Sequence, residues 1–190
     1  MSRNKESNMK TALDIAQYFI NHSYGGQLDD VTNLKLQKLL YYAQGYSLAL
    51  HGEPLFEEDI ENWSHGTVVP CVYHEFKCFG KQIIPPTLDF DLSNFSNKIK
   101  SVLEFVCRDY AKFSAWKLRE MTHNESPWKN TQRDEVITKD SIEKFFTAKL
   151  NVEKFNFDLD CMEQMLDTDF VEMPNNVTTL AQFDKWLAEG

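Results

Sequence analysis

No stretch of this 190-residue chain stays apolar for the roughly 20 residues that a membrane-spanning helix requires. Cysteine is scarce. Cys71, Cys78, Cys107 and Cys161 form no Cys-x-x-Cys pair and no dense framework. That excludes the disulfide scaffold of small secreted domains, and a reduced cytoplasmic chain is the expectation. Residues 1–10 are polar and lack the apolar core of a signal peptide. Glycine and proline are few, 7 and 6, and neither an internal repeat nor a low-complexity linker occurs. The glycine-rich phosphate loop, the dinucleotide-binding glycine pattern, the Gly-x-Ser-x-Gly elbow and His-Glu-x-x-His are all missing. Basic residues are outnumbered, 20 against 29 acids, and scattered. The net charge of −9 has the wrong sign for phosphate attraction, so nucleic-acid binding is disfavoured.

What is present is aromatic and apolar. Fourteen Phe, seven Tyr and four Trp contribute to 42 % hydrophobic residues, enough for one folded core. The charge is uneven. Residues 151–190 hold nine acids against Lys154 and Lys185, a net −7, and leave residues 1–150 nearly neutral. The expected organisation is therefore a helical domain over 1–150 and an acidic helical extension over 151–190. That extension either packs on the domain or meets a basic partner.

The periodicity predicts a mainly α, compact multi-helix bundle, with a short extended segment around 55–64. Thr11 and Asp14 form a capping box for a first helix that ends near Asn21 before Gly25-Gly26. Thr32 or Asp30 caps a second, with Leu36, Leu39, Leu40, Ala43, Ser47 and Leu50 at helical spacing and Lys35 and Lys38 facing elsewhere. Gly52 and Pro54 end it. Gly45 inside it costs about 1 kcal/mol relative to Ala, which suggests close packing by another element. Pro70 suits the first turn of a third helix running to Phe79 and stopping at Gly80. Further helices are expected over 93–113, from the Ser114 cap through 116–121, over 138–150, over 158–167 and from Thr179 onward. A loop is expected over 123–128.

Cys71, His74 and Cys78 would share one face of the third helix. Thiolates and imidazole ligate zinc, with His65 or His123 to complete a tetrahedron, but the same pattern serves ordinary core packing. Glu57, Glu58, Asp59 and Glu61 cluster in a loop, where solvated carboxylates are commoner than an acid–base pair. Neither pattern establishes a catalytic residue, a metal or a cofactor. Tyr41 and Tyr42, about 100° apart on a helix, should not both face one core. One of them, with Trp63, is a candidate partner anchor.

Three segments in order carry a resemblance. The first is Leu34-Lys35-Leu36-Gln37-Lys38-Leu39-Leu40-Tyr41-Tyr42. The second is His65-Gly66-Thr67-Val68-Val69-Pro70, where Thr67 stands in place of the usual proline. The third is Thr122-His123-Asn124-Glu125-Ser126-Pro127-Trp128. Together they resemble the Panacea antitoxin domain of SocA- and GepA-like proteins from phages and mobile elements. The resemblance implies a binding module, not an enzyme. It implies a protein toxin as partner, encoded by an adjacent gene and neutralised directly or by delivery to a ClpXP-type protease. It places Lys38, Tyr41, Tyr42, Trp63, His65, Gly66, His123 and Trp128 near the binding surface. The alternatives are a small metal-dependent enzyme on the Cys71/His74/Cys78 face and a DNA-binding regulator of a mobile element.

Overall fold

A computed structural model describes residues 10–22, 31–87 and 90–152. Contacts divide the chain into Met1–Phe155 and Asn156–Gly190, and every described residue belongs to the first unit. The helices expected over 158–167 and from Thr179 lie outside the described residues.

The fold is mainly α. Helix α1 (Ala12–His22) precedes α2 (Asn33–His51). Strands β1 (Ile60–Trp63) and β2 (Gly66–Val68) make a hairpin, and α3 (Pro70–Phe76) follows. Next come α4 (Asn97–Tyr110), α5 (Ala115–Asn124) and the short α6 (Ser126–Lys129). Strand β3 (Val136–Ile137) and α7 (Lys139–Val152) complete the described part.

Helix α2 is the axis around which the rest is built. Thr32 caps its start by accepting a hydrogen bond from the Lys35 amide, and Gly52 ends it in the left-handed conformation. It touches α1, α3, α4, α5, α7 and β2. Every residue from Lys35 to Leu48 is buried. The stripe expected from its periodicity is therefore only one of several packed faces. Lys35 and Lys38 do not face away, and both tyrosines are buried. A helix enclosed on all sides has no edge at which to leave a side chain.

Polar side chains are tolerated inside because they pin backbone from neighbouring segments. Gln44 donates to the Phe56 carbonyl at 2.9 Å and accepts from the Leu55 amide at 2.8 Å. Gln37 accepts from the Val69 amide at 2.8 Å. Lys38 donates to the Thr67 carbonyl at 2.7 Å. Three side chains of one helix thus clamp the whole 55–69 segment.

That segment is a hairpin rather than one extended stretch. β1 pairs antiparallel with β2 on one edge and with β3 on the other, in register Ile60↔Ile137. The 123–128 loop also resolves differently. α5 continues to Asn124, and α6 starts with Pro127 in its first turn, where a missing N–H costs nothing. The helix expected over 93–113 begins only at Asn97, because Ser96 caps it and Asp91 caps a separate 3₁₀ turn, Leu92–Asn94. The expected helix from Pro70 to Phe79 tightens into a 3₁₀ turn after Phe76 and ends at Gly80. As the second helix's glycine suggested, Gly45 does meet a close neighbour, the ring of Phe146 on α7.

Candidate functional site

The three segments that carry the sequence resemblance converge on the hairpin turn. Gly66 has φ +98°, which disfavours any side chain. A Cβ there would stand 2.7 Å from Lys38 Nζ and 2.9 Å from Thr122 Oγ1. Helix α2, the turn and the end of α5 therefore meet at one glycine. Lys38 is fully buried, and burial holds its amine well below the ordinary lysine range, with the Arg119 guanidinium adding in the same direction. Its amine has the Thr67 carbonyl as a partner and, among the described residues, no carboxylate.

His123 stacks on Trp128 at 3.9 Å with the two rings nearly parallel, and Trp128 Nε1 donates to the Trp63 carbonyl at 3.3 Å. Burial pushes His123 down to about 4, helped by Arg119, Lys38 and His65. The imidazole is thus neutral at physiological pH. Among the described residues, His123 Nε2, Thr67 Oγ1 and Arg119 Nε have no hydrogen-bond partner. Asn62 ties the α6 end to β1, donating to the carbonyls of Trp128 and Thr131 at 3.0 and 2.7 Å. Lys38, Gly66, His123 and Trp128 are therefore brought together with Trp63, and they shape the turn from beneath.

Tyr41 and Tyr42 belong to a different group. Tyr42 donates to Glu125 Oε1 at 3.1 Å and stacks on Tyr110 at 3.9 Å. Tyr110 and Tyr46 share a hydroxyl hydrogen bond of 2.5 Å. Lys149 lies 3.6 Å from Glu125 and close over the rings of Tyr42 and Tyr110. Burial raises the Glu125 carboxyl, opposed by Lys149 and by Tyr41 and Tyr42. Neither Tyr41 nor Tyr42 reaches the surface, so neither is the exposed anchor that the sequence suggested.

The accessible part is a cleft of about 660 Å³ between the start of α2, the hairpin, the end of α3 and the start of α5. Trp63, Tyr73, Trp116 and Leu34 supply apolar walls, and His65, Lys77 and Lys81 supply polar rims. Trp63 sits edge-on to Tyr73 at 5.0 Å, and its indole N–H is held by Glu61 at 2.7 Å. Trp116 is 63 % exposed, faces His65 edge-on at 6.4 Å, and carries Arg119 over its ring at 5.5 Å. Arg119 also donates to the Ser64 carbonyl at 3.3 Å, so it braces the turn against α5. Sequence reasoning found Trp63 and His65 but missed Trp116 and Tyr73. The available signal was an aromatic residue two positions after the Ser114 cap, on the first turn of a helix whose stripe runs through Leu118.

The Cys71/His74/Cys78 face does not pack into the core: all three are exposed, and Val72 and Phe76 are buried instead. Among the described residues no group of three or more His, Cys, Asp or Glu could hold a metal ion. The acidic cluster is put to structural use. Glu58 accepts from the Ala12 amide at 3.0 Å, where it favours the positive end of α1. Glu57 pairs with Lys139. No helix among the described residues is long and apolar enough to cross a membrane.

Residues 36–129, which include the α2 clamp, the hairpin, the His123–Trp128 stack and all of the cleft lining except Thr32, Asn33 and Leu34, match the family described as antitoxin SocA-like, Panacea domain. A relative, antitoxin SocA of Caulobacter vibrioides (strain NA1000 / CB15N), is 44 % identical over 54 residues, covering 28 % of this chain and 29 % of the relative. No solved structure matches the chain. The clamp formed by Gln37, Lys38 and Gln44 and the hairpin they hold thus lie within the residues that match the SocA-like Panacea domain.

Proposed function

We propose that this chain is an antitoxin that binds and neutralises a protein toxin encoded by an adjacent gene. The observation that carries the reading is the open aromatic cleft of Trp63, Tyr73 and Trp116 within a Panacea domain. Trp and Tyr combine large apolar area with a polar handle, which is why they recur as interface anchors. The contact surface is the cleft and the turn, with Trp63 and His65 in the contact itself. Lys38, Gly66, His123 and Trp128 set the height of the turn, and Tyr41 and Tyr42 hold the bundle that carries it. The chain acts as a binding module. Neutralisation proceeds by direct occlusion of the toxin or by its delivery to a ClpXP-type protease.

Co-expression with the adjacent gene's product tests the proposal. The expected result is rescue of growth with a complex that survives purification. Rescue that is lost in a host lacking the protease selects delivery, and rescue that persists selects occlusion. A non-toxic neighbour that forms no complex overturns the proposal.

A further inference from the structure

We infer, resting on the antitoxin reading above, that the cleft takes a short toxin segment in which an aromatic or long aliphatic side chain sits beside carboxylates. The chain as a whole carries −9, yet among the described residues no Asp or Glu lines the cleft. Its rims carry Lys77, Lys81 and His65 instead. Five of the thirteen described lysines are already engaged: Lys98, Lys117, Lys139, Lys144 and Lys149 face carboxylates. Lys77 and Lys81 are exposed, and among the described residues neither forms an ion pair. A locally cationic cleft on an acidic protein selects an acidic occupant by complementarity, and the surrounding negative charge repels acidic chains elsewhere.

The walls set the second requirement. Trp116 is the largest exposed hydrophobic side chain among the described residues, and it lines the same cleft as the Trp63–Tyr73 pair. An apolar side chain entering there covers Trp116, and carboxylates on either side of it reach the rims. Both α2 and α5 enter the cleft by their first turns, through Asn33 and Leu34 and through Ala115 and Trp116, so their positive dipole ends reinforce the sign of the lysines.

The two features act on different rate constants. Exposed rim charges govern association and its salt dependence, whereas a buried anchor governs dissociation. The test uses the full chain, immobilised, with the adjacent gene's product in solution. Lys77→Glu/Lys81→Glu should slow association by about tenfold at low salt and approach the unmodified chain as ionic strength rises toward about 0.5 M. Trp116→Ala should speed dissociation by about tenfold, and Trp116→Tyr should recover most of that loss. Lys100→Glu/Lys112→Glu imposes the same charge change away from the cleft and should alter association by less than about twofold.

If the unmodified chain binds and neutralises but the two charge reversals behave alike, or Trp116→Ala releases at the normal rate, the cleft assignment is overturned and the antitoxin reading stands. If Trp116→Ala instead abolishes a dimer of this chain without affecting toxin release, a second copy occupies the cleft and the inference fails. If the unmodified chain does not bind, both readings fail together.

Discussion

Gly45 lies directly beneath the Phe146 ring: a Cβ on Gly45 would stand 2.6 Å from Phe146 Cζ. The ring fills the space where a side chain of α2 would have been, and it meets Tyr41 and Tyr46 edge-on at 5.4 and 4.9 Å. A glycine inside a helix costs about 1 kcal/mol relative to Ala. Full burial of a Phe side chain is worth about 1.5–3 kcal/mol, so the packing term wins. Gly45→Ala should therefore destabilise the domain by about 1–3 kcal/mol despite its better helix propensity. Adding Phe146→Leu should make the same substitution less costly. Urea unfolding of the four members of that cycle measures the coupling, and additive effects would mean that the two residues do not share the space.

Lys38 makes stability depend on pH in a defined direction. Its amine titrates well below the ordinary value of 10.5 in the folded chain. Between those two values the unfolded chain binds the extra proton, so stability rises with pH. Lys38→Met loses the bond to the Thr67 carbonyl but also removes the buried amine. The stability of the unmodified chain relative to Lys38→Met should climb from neutral pH to about pH 9.5, short of tyrosine ionisation in the unfolded state. Parallel urea curves at both pH values decide it, and a constant difference would show that Lys38 keeps its proton when buried.

His123 acts with the same sign in a lower window. Its folded value of about 4 lies below the ordinary 6.5, so the unfolded chain holds more protons between them. Stability from the neutral imidazole is complete above pH 6.5 and is lost as pH falls toward 4. Glu125 opposes this, because its raised value makes the folded chain the better proton binder just above the ordinary carboxylate range. A bulk acid melt mixes the two. His123→Gln removes only the first, so it should flatten the decline between pH 6.5 and about 4.5. An unchanged slope would assign the acid sensitivity to other groups.

Two aromatic truncations separate contact from support. Trp116 is 63 % exposed, and Trp116→Ala should move stability by no more than about 0.5 kcal/mol while weakening toxin neutralisation. Tyr42 is fully buried between Glu125 and Tyr110. Tyr42→Ala should cost about 3–5 kcal/mol and lose neutralisation only because the domain unfolds. Thermal melts beside growth rescue distinguish them, and a well-folded, inactive Tyr42→Ala protein would return that residue to the binding surface.

Gly66→Ala should be severe for two independent reasons. The backbone at φ +98° is strained for a Cβ, and that Cβ meets Lys38 and Thr122. Strain of this kind costs about 1–3 kcal/mol before any clash is counted. A melting temperature indistinguishable from that of the unmodified chain would mean that the turn can flatten without loss.

Local chemistry made much of the chain legible in sequence. Thr32, Gly52, Pro70, Gly80 and Ser114 mark helix ends because they satisfy or terminate the backbone within one turn. The three motif segments pointed to the family for the same reason, since each is contiguous. What sequence could not show was that α2 is enclosed on every side. A periodic stripe identifies one buried face, and only neighbours far along the chain can bury the others. Spacing within α2 alone places Lys38, Tyr41 and Tyr42 near its surface, whereas the first clamps the hairpin and the others line the core. The same limit applies to β3, whose two residues pair with β1 across more than 70 positions. It applies also to the cleft, whose walls come from α2, β1, α3 and α5. The sequence alone marked several helix ends, at Thr32, Gly52, Pro70 and Ser114, and carried the resemblance to the Panacea domain. Tertiary structure alone decided which motif residues are buried supports and which are exposed, because burial is a property of contacts between distant segments and not of spacing within one.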